Sequence, residues 1–213
     1  MLFAFAEARN YSGDGCIPAG SNHSSDEGIR SLALKTSHDR GRTWGGLEIV
    51  DWNGINPAAV YDEVADQVVV HYPYTSASAS SPARHPNYGG VHTKQLLCKP
   101  TGECGTPTSL EKDLVWRGGI PLGTPTGPIA VSAGPGLGVQ LSAGPHRSRL
   151  LFSGHTGQAD ITWFSDDHAK TWQLASTIFG NNSKDPDPLP GRLNLYPQII
   201  ELNLGTPPPF CAT

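Results

Sequence analysis

The chain has 213 residues, 37% of them hydrophobic and only 16% charged, with a formal net charge of −4. That length suits one sizeable domain or two small ones, and the acidic balance argues against nucleic acid or an anionic membrane surface as the main partner. No apolar run approaches the roughly 20 residues of a transmembrane helix, and 25 glycines with 19 prolines describe a chain of short elements and many turns.

The chain opens on Met1-Leu2-Phe3-Ala4-Phe5-Ala6, followed at once by Glu7 and Arg9. This is too short for a signal-peptide core and reads as a strand, Leu2–Ala6. Further short apolar runs bounded by Gly, Pro, Ser and Asp predict strands at Ser31–Lys35, Ala58–Tyr61, Gln67–His71, Lys94–Leu97, Gly138–Leu141, Arg149–Phe152, Asp160–Phe164 and Ile199–Leu202. No helix longer than two turns is predicted, so the fold class is all-β. Thr75–Pro86 reads as an exposed loop, because Pro82 and Pro86 would break a sheet ladder. Residues 1–205 read as one domain and 206–213, with Pro207-Pro208-Pro209, as a Pro-rich tail.

The cysteines, Cys16, Cys98, Cys104 and Cys211, form no Cys-x-x-Cys pair, so a zinc site is not expected, and nothing else in the sequence requires a metal or organic cofactor. Cys98 and Cys104 flank the turn-like Lys99-Pro100-Thr101-Gly102-Glu103 and read either as a small disulfide loop or as two thiols. Asn-x-Ser sequons begin at Asn10, Asn22 and Asn181, a weak pointer to a secretory route.

One octapeptide occurs twice. Ser37-His38-Asp39-Arg40-Gly41-Arg42-Thr43-Trp44 and Ser165-Asp166-Asp167-His168-Ala169-Lys170-Thr171-Trp172 share Ser-x-Asp-x-Gly-x-Thr-Trp, with Ala169 replacing the glycine. In a tight turn the Ser and Asp side chains accept backbone N–H groups, the glycine takes a positive φ, and the tryptophan buries its ring. Both Trp44 and Trp172 are therefore expected to be buried. A recurrent turn of this kind implies a repeated β unit, a propeller or solenoid, and the chain holds about four units of about 40–50 residues. Between the two copies, where another is due, stands the Cys98–Cys104 loop.

These octapeptides resemble the Asp boxes of sialidases, and further segments match in family order. Phe3-Ala4-Phe5-Ala6-Glu7-Ala8-Arg9 resembles the Ala-Phe-Ala-Glu-x-Arg strand of exo-α-sialidases, and Ser25-Asp26-Glu27-Gly28 the segment carrying their catalytic aspartate. Asn56-Pro57-Ala58-Ala59-Val60-Tyr61-Asp62 resembles Asn-Pro-x-Pro-x-x-Asp. Gly134-Pro135-Gly136-Leu137-Gly138-Val139-Gln140-Leu141 resembles Gly-Pro-Gly-x-Gly-Ile-Gln-Leu, and Arg149-Leu150-Leu151-Phe152 the strand after it. The resemblance implies a sialidase-type β-propeller, here incomplete at about three to four of six blades. It implies an exo-α-sialidase acting on terminal sialic acids of glycoproteins, gangliosides and oligosaccharides. The sequence does not fix the compartment; the resemblance implies a soluble protein and leaves lysosomal, secretory and membrane-associated sites open.

The chemistry explains the residues such a site needs. Arginines pair bidentately with the substrate carboxylate, a tyrosine serves as nucleophile where a carboxylate would be repelled, and an aspartic acid protonates the leaving oxygen. The resemblance assigns Asp26 as general acid/base, with Asp14 as the competing position, Arg9 as a contact near the sugar 4-hydroxyl, Asn56 at the pocket floor and His155 as a pocket-lining residue. Each also has a plainer reading: a loop aspartate, a strand-end arginine, a turn residue before Pro57 and a surface-loop histidine. The family's Phe-Arg-Ile-Pro segment would precede Leu2, its other triad arginines and tyrosine would follow Glu201, and Tyr196 stands at the position of its assisting glutamate. A truncated product, inactive as isolated, is therefore expected. The alternative is a catalytically inactive sialidase-like propeller that binds glycans or proteins.

Overall fold

The computed structural model describes residues 1–10, 29–52, 54–75, 91–116, 129–155 and 159–180, together with Ile199 and Glu201. All regular structure among them is β. The strands are β1 (Leu2–Asn10), β2 (Ile29–Ser37), β3 (Glu48–Trp52), β4 (Ala58–Asp62), β5 (Gln67–Thr75), β6 (Val91–Cys98), β7 (Thr108–Ser109), β8 (Val115–Trp116), β9 (Ile129–Ala130), β10 (Ser132–Ala133), β11 (Gly136–Leu137), β12 (Val139–Gln140), β13 (Leu150–His155), β14 (Ala159–Ser165) and β15 (Gln173–Gly180). They form a first sheet β1-β2-β3, a second β11-β4-β5-β6-β7, a third β10-β13-β14-β15 with β12 also on β13, and a small pair β8-β9. None closes on itself.

The second sheet is apolar on both faces, which is why β5 reads as a continuous apolar run and not as an alternation. Val68, Val70 and Tyr72 join Leu32 and Leu96 in one core with Phe3 and Phe5 packed against it. Val69, between them in sequence, faces the other core with Phe152, Ile161, Trp163 and Trp172. With period-2 side-chain alternation, one strand thus supplies the middle layer of two interfaces.

Two segments recognised in the sequence staple the second and third sheets together. Gly136 and Leu137 pair in parallel with Ala58 and Ala59, Gly138 N–H donates to Ala59 O at 2.9 Å, and Gln140 Nε2 donates to Asp62 at 2.9 Å. Gly138 must lack a side chain, because a Cβ there would lie 2.6 Å from Cε1 of the fully buried Phe152. Gly138→Ala is expected to destabilise the fold by about 1–3 kcal/mol through overpacking, measurable by urea unfolding; a neutral result would mean that the β11–β12 segment is free to lift away.

Strand positions agree with expectation except where edges and pairing decide. β3 and β15, each held by a single hairpin partner, and the two-residue strands β7 to β11 were not anticipated. β5 and β6 run on to Thr75 and Val91 because their mutual ladder continues. Ile199 and Glu201, expected in a strand, lie outside one; Glu201 instead accepts the Ser142 N–H at 3.0 Å. Most of the Thr75–Pro86 loop and all of the 206–213 tail lie outside the described residues.

Candidate functional site

The strands run between two ends, and the chemistry of the two differs. At one end sit the tight turns. Both octapeptides make the same bonds. Ser37 Oγ donates to Asp39 at 2.9 Å and Ser165 Oγ to Asp167 at 2.8 Å. Thr43 and Thr171 N–H groups donate to those aspartates at 2.8 and 2.9 Å, and both threonine hydroxyls do so at 2.6 Å. The Thr43 hydroxyl and N–H are the main causes that lower the Asp39 pKa to about 2.

Each turn needs two successive left-handed residues, Arg40 and Gly41 at φ 62° and 86°, His168 and Ala169 at 61° and 64°. An alanine there costs about 1–2 kcal/mol. Burial of the Ala169 methyl in the core that also holds Trp172 recovers part of that cost, about 0.8 kcal/mol. The left-handed pair also turns two carbonyls onto the second sheet, where Gln67 Nε2 bonds His168 O at 3.2 Å and Gln95 Nε2 bonds Ala169 O at 3.1 Å. His168 further bonds Asp62 at 3.0 Å. Burial raises the Asp62 pKa, but hydrogen bonds from Ala65, Gln140 and His168 outweigh it and hold the carboxyl below its usual range.

The expectation that both tryptophans are buried holds for one of them. Trp172 is 4% exposed, and its indole N–H reaches Gln95 Oε1 at 2.7 Å. Trp44 is 42% exposed. The turns are alike, and the difference lies in what covers them, because the second sheet receives Trp172 while no described residue buries Trp44. The loop between β6 and β7 occupies the corresponding place in the second sheet, and there Cys98 and Cys104 form a disulfide. A covalent bond closes that turn where Ser, Asp and Thr close the others. A cavity of about 440 Å³ also lies at this end, lined by apolar groups such as Met1, Phe3, Phe5, Val60 and Val68. Tyr61 also lines it.

At the opposite end of the strands stand three of the residues assigned from the sequence, Arg9, Asn56 and His155, each at a different sheet. Arg9 is the penultimate residue of β1, opposite Arg30. Asn56 precedes β4 with φ 45°, a left-handed conformation that asparagine tolerates, beside the Gly54–Tyr74 bridge at the end of β5. His155 closes β13 opposite Asp160. Asp26 and Asp14 lie outside the described residues, in the connection whose flanking residues Asn10 and Ile29 pair at this same end. Among the described residues no three His, Cys, Asp or Glu groups are placed to hold a metal.

His155 is not on a surface loop; it is a buried strand-end residue, and burial lowers its pKa, so it is neutral at pH 7. Asp160, missed in the sequence, is 3% exposed, and burial raises its pKa. Also missed was a linkage between the first two sheets. Asp51 of β3 accepts both the Tyr72 hydroxyl at 2.8 Å and Lys94 Nζ at 2.7 Å, and Lys94 lies 4.4 Å from the centre of the Tyr74 ring. No motif marks these residues. Their only signal is a polar side chain at an inward position of an otherwise apolar strand.

An open succession of antiparallel sheets packed face to face, tight turns at one end and polar strand ends at the other, is part of a β-propeller. Its fold is like that of sialidase propellers. No family model matches the sequence. The fold is similar to the leech intramolecular trans-sialidase complexed with 2,7-anhydro-Neu5Ac (TM-score 0.57, 12% identity, covering 82% of this chain and 41% of that one). It is likewise similar to the Ruminococcus gnavus intramolecular trans-sialidase in complex with oseltamivir carboxylate (0.57, 13%, 82% and 57%). The NanB sialidase of Streptococcus pneumoniae gives a comparable match (0.54, 12%, 84% and 43%). At these identities the likeness is one of fold, and the chain spans between 41% and 57% of the length of these proteins.

Proposed function

We propose that this chain belongs to a sialidase-type glycoside hydrolase acting on terminal sialic acids of glycoproteins, gangliosides and oligosaccharides, and that its octapeptide turns are Asp boxes. The observation that carries this reading is that Arg9, Asn56 and His155 sit at one end of three consecutive sheets in a sialidase-like fold, opposite the turns. Arg9 holds the sugar, Asn56 and His155 line its pocket, and Asp26 is the general acid/base. Neutral, buried His155 suits contact with hydroxyl or amide groups of a sugar better than with a carboxylate.

The clustered arginines that would clamp the substrate carboxylate and the tyrosine nucleophile are assigned to no residue of these 213. A general acid alone contributes about 10²–10⁴-fold, so the purified chain is expected to release no measurable sialic acid from a fluorogenic sialoside. Turnover that disappears in Asp26→Ala would overturn that expectation. The reading itself is tested by saturation-transfer NMR with the methyl α-ketoside of N-acetylneuraminic acid. Binding weakened by Arg9→Ala supports it, and binding of neutral glycans in preference to the sialoside favours an inactive glycan-binding propeller.

A further inference from the structure

One carboxyl oxygen of the third sheet is buried without a hydrogen bond. Asp160 is the second residue of β14, at the polar end, and its Oδ1 has no hydrogen-bond partner although the residue is only 3% exposed. Leaving such an oxygen unpaired costs about 1–3 kcal/mol, and a native fold that carries one does so for a reason other than stability.

Its place in the sheet narrows the reason. Residues directly opposite on neighbouring strands share a face, so Asp160 lies beside His155, with Ser153 and Thr162 as the next pair along that face. The core residues Phe152, Ile161 and Trp163 occupy the other face. The four residues that end these two strands on this side are therefore all polar, although Asp160, His155 and Ser153 are buried. The β14–β15 ladder also shifts register between Asp160 and Ile161, an irregularity of the kind that re-aims a side chain beside a site. Burial disfavours the charged forms of both Asp160 and His155, which suits contact with neutral polar groups.

We infer that Asp160 is a further substrate-contacting residue of the proposed site, and that its free oxygen accepts a hydrogen bond from an uncharged donor of the sugar, a hydroxyl or an amide N–H. This rests on the sialoside reading given above. The chemistry selects the donor, because an acceptor oxygen repels the sugar's own carboxylate and is satisfied only by the side of the ring that carries hydroxyl and acetamido groups. An oxygen kept unpaired in the fold discriminates strongly, since a ligand lacking the donor leaves it unsatisfied.

Saturation-transfer NMR titrations of the purified 213-residue chain with the methyl α-ketoside of N-acetylneuraminic acid test it. Asp160→Ala and, separately, Asp160→Leu are expected to weaken binding at least ~10-fold, about 1.4 kcal/mol. Both should leave the urea-unfolding midpoint unchanged or raised, because the oxygen they remove has no partner in the fold; if one variant misfolds, the other carries the test. Titrations with a ketoside whose glycerol side chain has been shortened by periodate and borohydride identify the donor. A loss that vanishes with the shortened ketoside assigns it to a side-chain hydroxyl, and a loss that persists assigns it to a ring hydroxyl or the acetamido N–H. Parent binding that Arg9→Ala weakens but both Asp160 variants leave intact overturns this inference and keeps the reading of the site. A parent chain that binds no sialoside overturns both. Two variants that lose stability together would give the carboxyl a structural role and overturn the inference as well.

Discussion

Trp172→Ala is expected to destabilise the protein by about 3–5 kcal/mol, and Trp44→Ala by less than about 1 kcal/mol under dilute conditions, although the two residues end the same octapeptide. Trp172 is 4% exposed; its ring meets His71 at 4.4 Å and Phe152 at 5.6 Å between centroids, and its N–H satisfies Gln95 Oε1. Removing it opens a cavity between two sheets, which is the main cost, and takes from Gln95 Oε1 one of two donors, His71 Nε2–H remaining. Trp44 keeps much of its ring in water when the protein is folded, so its removal forfeits little transfer free energy. Urea unfolding of the two variants side by side makes the measurement. Equal losses would mean that Trp44 is covered in solution as fully as Trp172 is.

Lowering the pH from 7 to 4 is expected to destabilise the fold steeply, because His71 must be neutral to fit. It has no exposed surface, stacks on Phe152 at 4.1 Å, and its two ring nitrogens are both engaged. Nδ1 lies 3.0 Å from the Trp163 indole nitrogen, which can only donate, so Nδ1 accepts and Nε2–H donates to Gln95 Oε1 at 3.1 Å. A second proton would have to sit on Nδ1 against the Trp163 N–H. Burial lowers the pKa to about 3, against about 6.5 in the unfolded chain. Between these values the unfolded state binds the extra proton. Stability is therefore fully present above about pH 6.5 and falls toward pH 3 at about 1.4 kcal/mol per unit.

His155, lowered by its own burial, acts in the same direction. The carboxylates titrate lower: Asp39, Asp62 and Asp167 all have depressed pKa values. Their contribution is complete above about pH 4 and is lost as the pH falls through their folded values, about 2 for Asp39. Unfolding free energies at half-unit steps, for the parent chain and His71→Gln, separate the two windows. A parent profile that is flat between pH 6.5 and 4.5 would show that His71 is hydrated or charged in the native state.

What could be read in the sequence was local. The octapeptide turns were legible because Ser, Asp and Thr bond to one another and to backbone within eight residues, so the chemistry is complete before any other sheet arrives. Strand cores such as Gln67–His71 were legible because β-branched runs bounded by turn residues have few other solutions. The Asn56–Asp62 and Gly134–Leu141 segments were read as one set, yet the structure divides their work. Asn56 stands at the polar end, while Asp62, Gly138 and Gln140 lock the second sheet to the third.

Sequence by itself therefore determined the all-β class, the repeated turn and the residues able to build it, since these follow from side-chain chemistry and spacing over a few positions. Tertiary structure alone decided that Trp172 is buried and Trp44 exposed, that His155 lies inside a strand end, that Cys98 and Cys104 bond, and that Asp51 joins the first sheet to Lys94 and Tyr72. Burial is a property of what packs on a residue. The group that covers Trp172 comes from Gln95, 77 positions away, and no local pattern around either tryptophan records whether such a neighbour is there.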